Sequence, residues 1–340
     1  MTSEATSDPA ADSKSPAAHL KTTACLGGVS LERGVPVEEI HDYIREADNV
    51  VWVDVRDPGP AELSMLEEEF GFHPLALGGV TQGLPRPSLD EYKAYLLLVT
   101  CAAIPGSTTR ELWTAGVSLF IGRNYVVSIH RGFVPALDEA ATRWTRGGLR
   151  LRDGVGFLVY TVLDALLDSY VPLIQEIENE IGDTEIAMLS ISDDQGVRRL
   201  LRLKRTLVEL RRVLYPLREI FQVLLRRDHS FFLTNSEVYL RDVSNRVLRI
   251  LDVLETEREM AAGALEASLT VSSNRLNKTM KTLAVITVSV AVVASVFGAY
   301  GMNFAVLPGA QSPWGFWVVS LGTIASVVAA VLLGRARGWW

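Results

Sequence analysis

Between Thr282 and Gly334 the chain has no Asp, Glu, Lys, Arg or His, although 21% of its 340 residues are charged. A run without charge excludes an ordinary solvated surface. It is long enough for two membrane passages of roughly 20 residues each, with a turn between them. Proline is absent from Glu237 to Met302, and Gly263 and Gly298 are the only glycines there before Gly301. That absence removes the usual causes of a helix break.

Other absences narrow the function. The two cysteines, Cys25 and Cys101, form no CxxC pair and give no disulfide framework. They are expected to be buried, reduced thiols. The histidines, His19, His41, His73, His130 and His229, have no zinc-site spacing. There is no GxxxxGK[ST] loop, hence no ATP engine within the chain. No nucleophile–base pair is evident, so the reading is not an enzyme, and no organic cofactor is implied. The net charge of -7 argues against a nucleic-acid partner. Residues 1–23 are rich in Ala, Ser, Thr, Pro and Asp, and read as a disordered tail with no signal peptide. The residues ahead of Thr282 are therefore expected in the cytoplasm.

What is present falls into segments. Residues 24–150 read as an α/β domain. Val50–Val55, Tyr95–Val99, Val117–Gly122 and Tyr125–Ile129 have strand character, and Arg123-Asn124 reads as a hairpin turn. Val37–Ala47 and Ala61–Phe70 read as helices. Residues 151–235 read as a helical pair. In the first, Leu158, Val162, Leu166, Tyr170, Leu173, Ile177 and Ile181 recur at helical spacing. The second contains Pro216, which is expected to kink or interrupt it. Asn235-Ser236 then caps a stalk helix, 236–281, that runs without a break into a first transmembrane helix, 282–302. One helix of that extent would be roughly 100 Å long. A loop at 303–313, a second transmembrane helix at 314–334 and a basic end at 335–340 follow.

Flanking charge sets the expected orientation. Arg275, Lys278 and Lys281 precede the first span, and Arg335 and Arg337 follow the second. Positive residues favour the cytoplasmic side, which puts both termini inside a cell membrane and the loop outside. Trp314, Trp317, Trp339 and Trp340 bracket the second span as interface aromatics do.

Tyr300-Gly301-Met302-Asn303-Phe304 lies between the two spans. Upstream are Phe70-Gly71-Phe72-His73-Pro74-Leu75-Ala76-Leu77, Arg86-Pro87 and Glu91-Tyr92-Lys93-Ala94-Tyr95. Leu163-Asp164 to Glu178, and Leu210-Arg211-Arg212 to Pro216-Leu217-Arg218, lie on the two helices before the stalk. Together these segments resemble the CorA magnesium and cobalt transporters over nearly all of the chain after the tail. The resemblance implies a homopentameric channel in the lipid bilayer, with five stalk helices around a pore and potential-driven uptake of Mg²⁺, and of Co²⁺ as a possible second ion. Gly301, Met302 and Asn303 would form the ion-entry filter. Mg²⁺ sheds water reluctantly and prefers oxygen, which suits a ring of amide and carbonyl oxygens.

Carried residue by residue, the same match makes Asn277 an inner polar ring, and Met280 and Leu283 a hydrophobic constriction that gates by dewetting. Gly298 falls at a position of close approach to the pore. Thr287 falls on the same face and could offer a hydroxyl. Ala291 and Ala294 stand where some members carry larger residues, and Gly78-Gly79 replaces a common acidic pair. Asp242 corresponds to a regulatory aspartate that contacts a cation, with Mg²⁺ in that role as well. Plainer roles are open for each: a helix cap for Asn303, packing for Met280 and Leu283, register for Asn277, a solvated carboxylate for Asp242. For His73 a satisfied core histidine is the preferred reading. A zinc transporter of the same architecture is the alternative, and a membrane-anchored scaffold the alternative from another class.

Overall fold

The computed structural model describes residues 19–80, 86–104, 113–190, 194–226, 236–302, 312 and 314–337. They form two units. The first holds residues 1–185 and 198–262, and the second 186–197 and 263–340.

The first unit is built on a seven-stranded sheet. Its strands are β1 (His19–Leu26), β2 (Ser30–Arg33), β3 (Val50–Arg56), β4 (Ser88–Glu91), β5 (Leu96–Ile104), β6 (Trp113–Ile121) and β7 (Tyr125–His130). They lie in the order β2-β1-β3-β7-β6-β5-β4. Only β3 and β7 run parallel among these pairs. The strand β1 begins before the expected boundary at residue 24. Its first residues are claimed by pairing, His19 opposite Arg56 and Thr22 opposite Val53. A polar stretch that looks disordered in isolation becomes a strand once a buried neighbour satisfies its backbone. The β6–β7 hairpin turns at Arg123-Asn124, with Gly122 N–H donating to Tyr125 O at 2.9 Å. Asn124 Nδ2 donates to Ile44 O at 2.8 Å and Glu46 O at 3.2 Å, tying that turn to the C-terminal end of the first helix.

Helices α1 (Ile40–Arg45), α2 (Pro60–Phe70) and α3 (Pro74–Val80) belong to one side of the core. The stretch expected as one helix at Val37–Ala47 is a short 3₁₀ turn, Val37–Glu39, followed by α1. The alternation of β3 sends Val51, Val53 and Val55 to this side, where they join Leu66, Phe70 and Phe72. Gly71 ends α2 in the left-handed region (φ 65°), donating its N–H to Glu67 O at 3.0 Å. That turn places Phe72 4.2 Å from Phe120 and 4.9 Å from Tyr95, centroid to centroid. Of the Phe70 to Leu77 segment, Phe70, Phe72, Ala76 and Leu77 pack into the core. His73 does not join the core as expected. It is exposed, and its Nδ1 accepts the Leu75 N–H at 3.1 Å while its carbonyl receives Ala76 N–H at 2.8 Å. A histidine just before Pro74 serves the start of α3 instead.

On the other side lie α4 (Pro135–Thr145) and α5 (Val155–Asp168). Trp52 stands edge-on to Trp144, centroids 6.0 Å apart, and donates Nε1–H to Ser128 Oγ at 3.0 Å. The helical run after residue 154 is divided into α5 and α6 (Tyr170–Ser190) at Ser169. Pro172, in the first turn of α6, has no N–H to offer the carbonyl of Asp168, which weakens the helix at that junction. The following helix, α7 (Asp194–Arg226), carries Pro216 without interruption. Cys25 and Cys101 are both buried and reduced, and burial pushes the Cys101 thiol up to about 11.

The last two helices are α8 (Ser236–Tyr300), a single element of 65 residues, and α9 (Gly315–Ala336). Ser236 does not cap α8 through its hydroxyl among the described residues, because Oγ is buried without a hydrogen bond. It packs instead on Gly156, where an added Cβ would come within 1.9 Å of that oxygen.

Candidate ion-conduction site

The α8 segment within the second unit carries the candidate conduction residues that the family resemblance singled out. Asn277, Met280, Leu283, Thr287, Ala291, Ala294 and Gly298 follow one another at intervals of three or four, so they share one face of the helix. All of them are exposed. Met280 is 61% exposed and Leu283 62%. The face holds one amide, one hydroxyl and otherwise small or apolar groups. Thr287 donates its O–H to Leu283 O at 2.9 Å, which leaves the lone pairs of Oγ1 free to turn toward a cation.

A different face of α8 meets α9. Lys281, Ala284, Val285 and Val288 line a cavity of about 650 Å³ together with Ala330, Val331, Leu333 and Arg337. The conduction residues take no part in lining it. They are presented on a face that nothing among the described residues of this unit covers.

At the end of α8 the helix tightens. Gly301 N–H donates to Phe297 O at 3.0 Å and Gly298 O at 3.2 Å, and Met302 N–H to Ala299 O at 3.3 Å. Gly301 and Met302 therefore follow directly from a closing helical turn. Asn303 and nearly all of the loop to residue 313 lie outside the described residues.

Length and composition make three helical segments candidates for crossing a membrane: Val155–Met188, Ser236–Tyr300 and Gly315–Ala336. The most apolar window of the first is 67% buried within the chain, that of the second 0%, and that of the third 11%. The first is a core element of the α/β unit. The other two expose their apolar surface, as a span facing lipid or further copies must.

Asp242 sits half-buried on the α8 segment of the first unit, with Tyr160 O–H donating to its Oδ2 at 3.3 Å. Around it is a cluster that the sequence reading missed. Asp164 and Asp168 of α5 meet Arg143 of α4 and Arg246 of α8. Burial raises the Asp164 carboxyl above its ordinary value, while Arg246 and Arg143 oppose the shift. Two aspartates four residues apart inside an apolar helix were the available clue. Among the described residues no group of three or more His, Cys, Asp or Glu side chains stands ready to hold a metal ion. Gly78 and Gly79 lie in α3 and bring no carboxylate.

A mixed α/β unit, a helix that continues from it into an uncharged run, and a second apolar helix describe a protein with two candidate membrane spans after its α/β unit. The model of the CorA-like Mg2+ transporter protein family matches residues 47–334, and the chain belongs to that family. It is similar to the cobalt/magnesium transport protein CorA of Thermotoga maritima, 30% identical over 300 residues, 87% of this chain and 85% of the relative. It is also similar to the zinc transport protein ZntB of Cronobacter sakazakii, 28% identical, covering 88% of each. The complete structure of the CorA magnesium transporter from Methanocaldococcus jannaschii superposes with a TM-score of 0.77 at 24% identity, covering 94% of this chain and 98% of that one. The protein is a divalent metal cation transporter of this family.

Proposed function

We propose that the chain forms a homopentameric channel for Mg²⁺, and for Co²⁺ as a second cargo, in a cell membrane with both termini in the cytoplasm. Five copies of α8 would surround the pore with the face from Asn277 to Gly298, and Gly301, Met302 and Asn303 would form the entry. The observation that carries this reading is the uncovered face itself. Asn277, Met280, Leu283 and Thr287 are exposed along a helix whose apolar window is 0% buried by its own chain. Asn277 lies just ahead of the span, and a water-filled axis shared by several copies would solvate its amide at the cytoplasmic mouth.

Amide and carbonyl oxygens can hold the first-shell waters of Mg²⁺ by hydrogen bonds without stripping them. The rings at Met280 and Leu283 would gate by drying. A divalent ion crossing 100 mV gains about 4.6 kcal/mol, twice the single-charge figure, so flux needs an interior-negative potential and no nucleotide.

Similarity to a zinc transport protein favours Zn²⁺ as the second reading. Against it, the uncharged run from Thr282 to Gly334 has no His or Cys, the ligands zinc prefers. Flux into liposomes at a set potential is the test. Mg²⁺ entry that grows with the potential, persists under Zn²⁺ and is abolished by Asn303→Ala without change in oligomer size is expected. Zn²⁺ entry that excludes Mg²⁺ would establish the second reading, and no flux of either ion would leave a scaffold.

A further inference from the structure

The conduction face makes no use of the charged cluster where α4, α5 and α8 meet in the first unit. Asp164 and Asp168 are four residues apart, so both point from one side of α5. Arg143 Nη1 lies 2.9 Å from Asp164 Oδ2 and 2.7 Å from Asp168 Oδ2. Arg246 Nη1 lies 2.9 Å from Asp164 Oδ1 and also contacts Asp168 Oδ1. Each carboxylate therefore has a different guanidinium within ion-pair distance of each of its oxygens, the contact at Asp164 Oδ1 being one of charge without a hydrogen bond. Each guanidinium spans both carboxylates through a single nitrogen. The four charges cancel.

The location makes that cancellation necessary. The side chain of Asp164 is 12% exposed and that of Arg246 29%. Asp168 is more open, at 33%, but two carboxylates this close, one of them largely shielded from water, repel each other and resist ionisation unless counter-charge is supplied. Arg143 is itself steadied by Glu139 Oε1, 3.0 Å from its Nε. Arg246 belongs to the same helix as the conduction face.

We propose that Arg143 and Arg246 are resident counter-ions that hold α8 on α5, so that this joint stays closed without a bound divalent cation. The two nitrogens occupy the place between carboxylates where an exchangeable ion would otherwise be needed. Asp242 is engaged by Tyr160, and α3 brings no carboxylate at Gly78 and Gly79. Arg246 is then a positioning residue for α8, with charge as its working property. The proposal concerns the joint and not the cargo, so it stands or falls independently of which ion the pore carries.

Amide hydrogen exchange on the purified full-length protein, followed over residues 236–262 in EDTA and in Mg²⁺, tests it. The wild type is expected to exchange at the same rate in both. Arg246→Gln should exchange about tenfold faster in EDTA, because two carboxylates lose half their counter-charge. Arg246→Lys should restore the wild-type rate, since one ammonium can make the same single-nitrogen contact. Wild-type exchange that accelerates in EDTA would overturn the proposal. So would Arg246→Gln behaving as wild type, or Arg246→Lys exchanging as fast as Arg246→Gln. The wild-type arm needs no variant to fold.

Discussion

Two stretches of similar apolar character meet opposite fates. The segment beginning with α5 has a mean hydropathy of 1.6 in its most apolar window, and α8 reaches 2.2. The first window is 67% buried by its own chain and the second not at all. What separates them is how their polar groups are met. In α5, Asp164 and Asp168 find arginines on two other helices. In the α8 run there is no charge to meet, and hydroxyls such as Thr287 return to their own helix. A core helix tolerates ionised groups when other elements supply counter-charge. A helix that must be covered by lipid or by copies of itself is cleared of them.

The comparison can be broken most strongly at Leu158, which is 0% exposed in α5. Leu158→Asp buries a carboxylate with no partner, and a loss above about 5 kcal/mol is expected, enough to unfold the α/β unit. Loss of the far-ultraviolet dichroism melt would register it. A retained cooperative melt would mean that α5 is not the core helix it is taken for.

A milder pair sharpens the contrast. Leu158→Ala should cost about 3 kcal/mol through the cavity it leaves. Leu283→Ala, at a position 62% exposed within the chain, should cost under about 1 kcal/mol and instead raise resting flux by widening the constriction. Parallel thermal melts and liposome flux separate the two. Equal destabilisation would place Leu283 in a packed interface and remove it from the gate.

The smallest effect concerns Glu257, another buried acid of α8. Its Oε2 has no hydrogen bond among the described residues, and it is 4% exposed. Burial first, and then repulsion from Glu178, raises its pKa above the ordinary value. The native state therefore holds this proton more tightly than the unfolded chain. Stability falls as pH rises from the unfolded carboxylate range through the folded pKa. Glu257→Gln should add about 1 kcal/mol at neutral pH, with the difference closing in mild acid. A melt series across pH checks the sign, and a variant less stable at neutral pH would reverse it.

Much of this was legible from local pattern. The strands β3 and β7, the hairpin at Arg123-Asn124 and the break-free α8 were readable, because alternation, turn chemistry and the absence of proline act over a few residues. The early start of β1 was not, because His19 to Thr23 become a strand only through pairing with β3. His73 was misjudged for a similar reason. Its neighbours in sequence are apolar, but the turn at Gly71 sends Phe72 inward and leaves His73 outside. The residues from Asn277 to Gly298 were singled out by the family resemblance, and their intervals of three and four then place them on one face of α8, while Asn303 rests on sequence.

The sequence by itself determined the uncharged run, the basic flanks at Arg275, Lys278 and Lys281, and the helical period of the face proposed to line the pore, since each is a property of consecutive residues. The tertiary structure alone decided which apolar helix became core and which stayed bare, because burial depends on what the rest of the chain brings alongside. It also decided the charges of the α5–α8 joint. Arg143, Asp164, Asp168 and Arg246 come from three helices, and long-range pairing of that kind leaves no period to read.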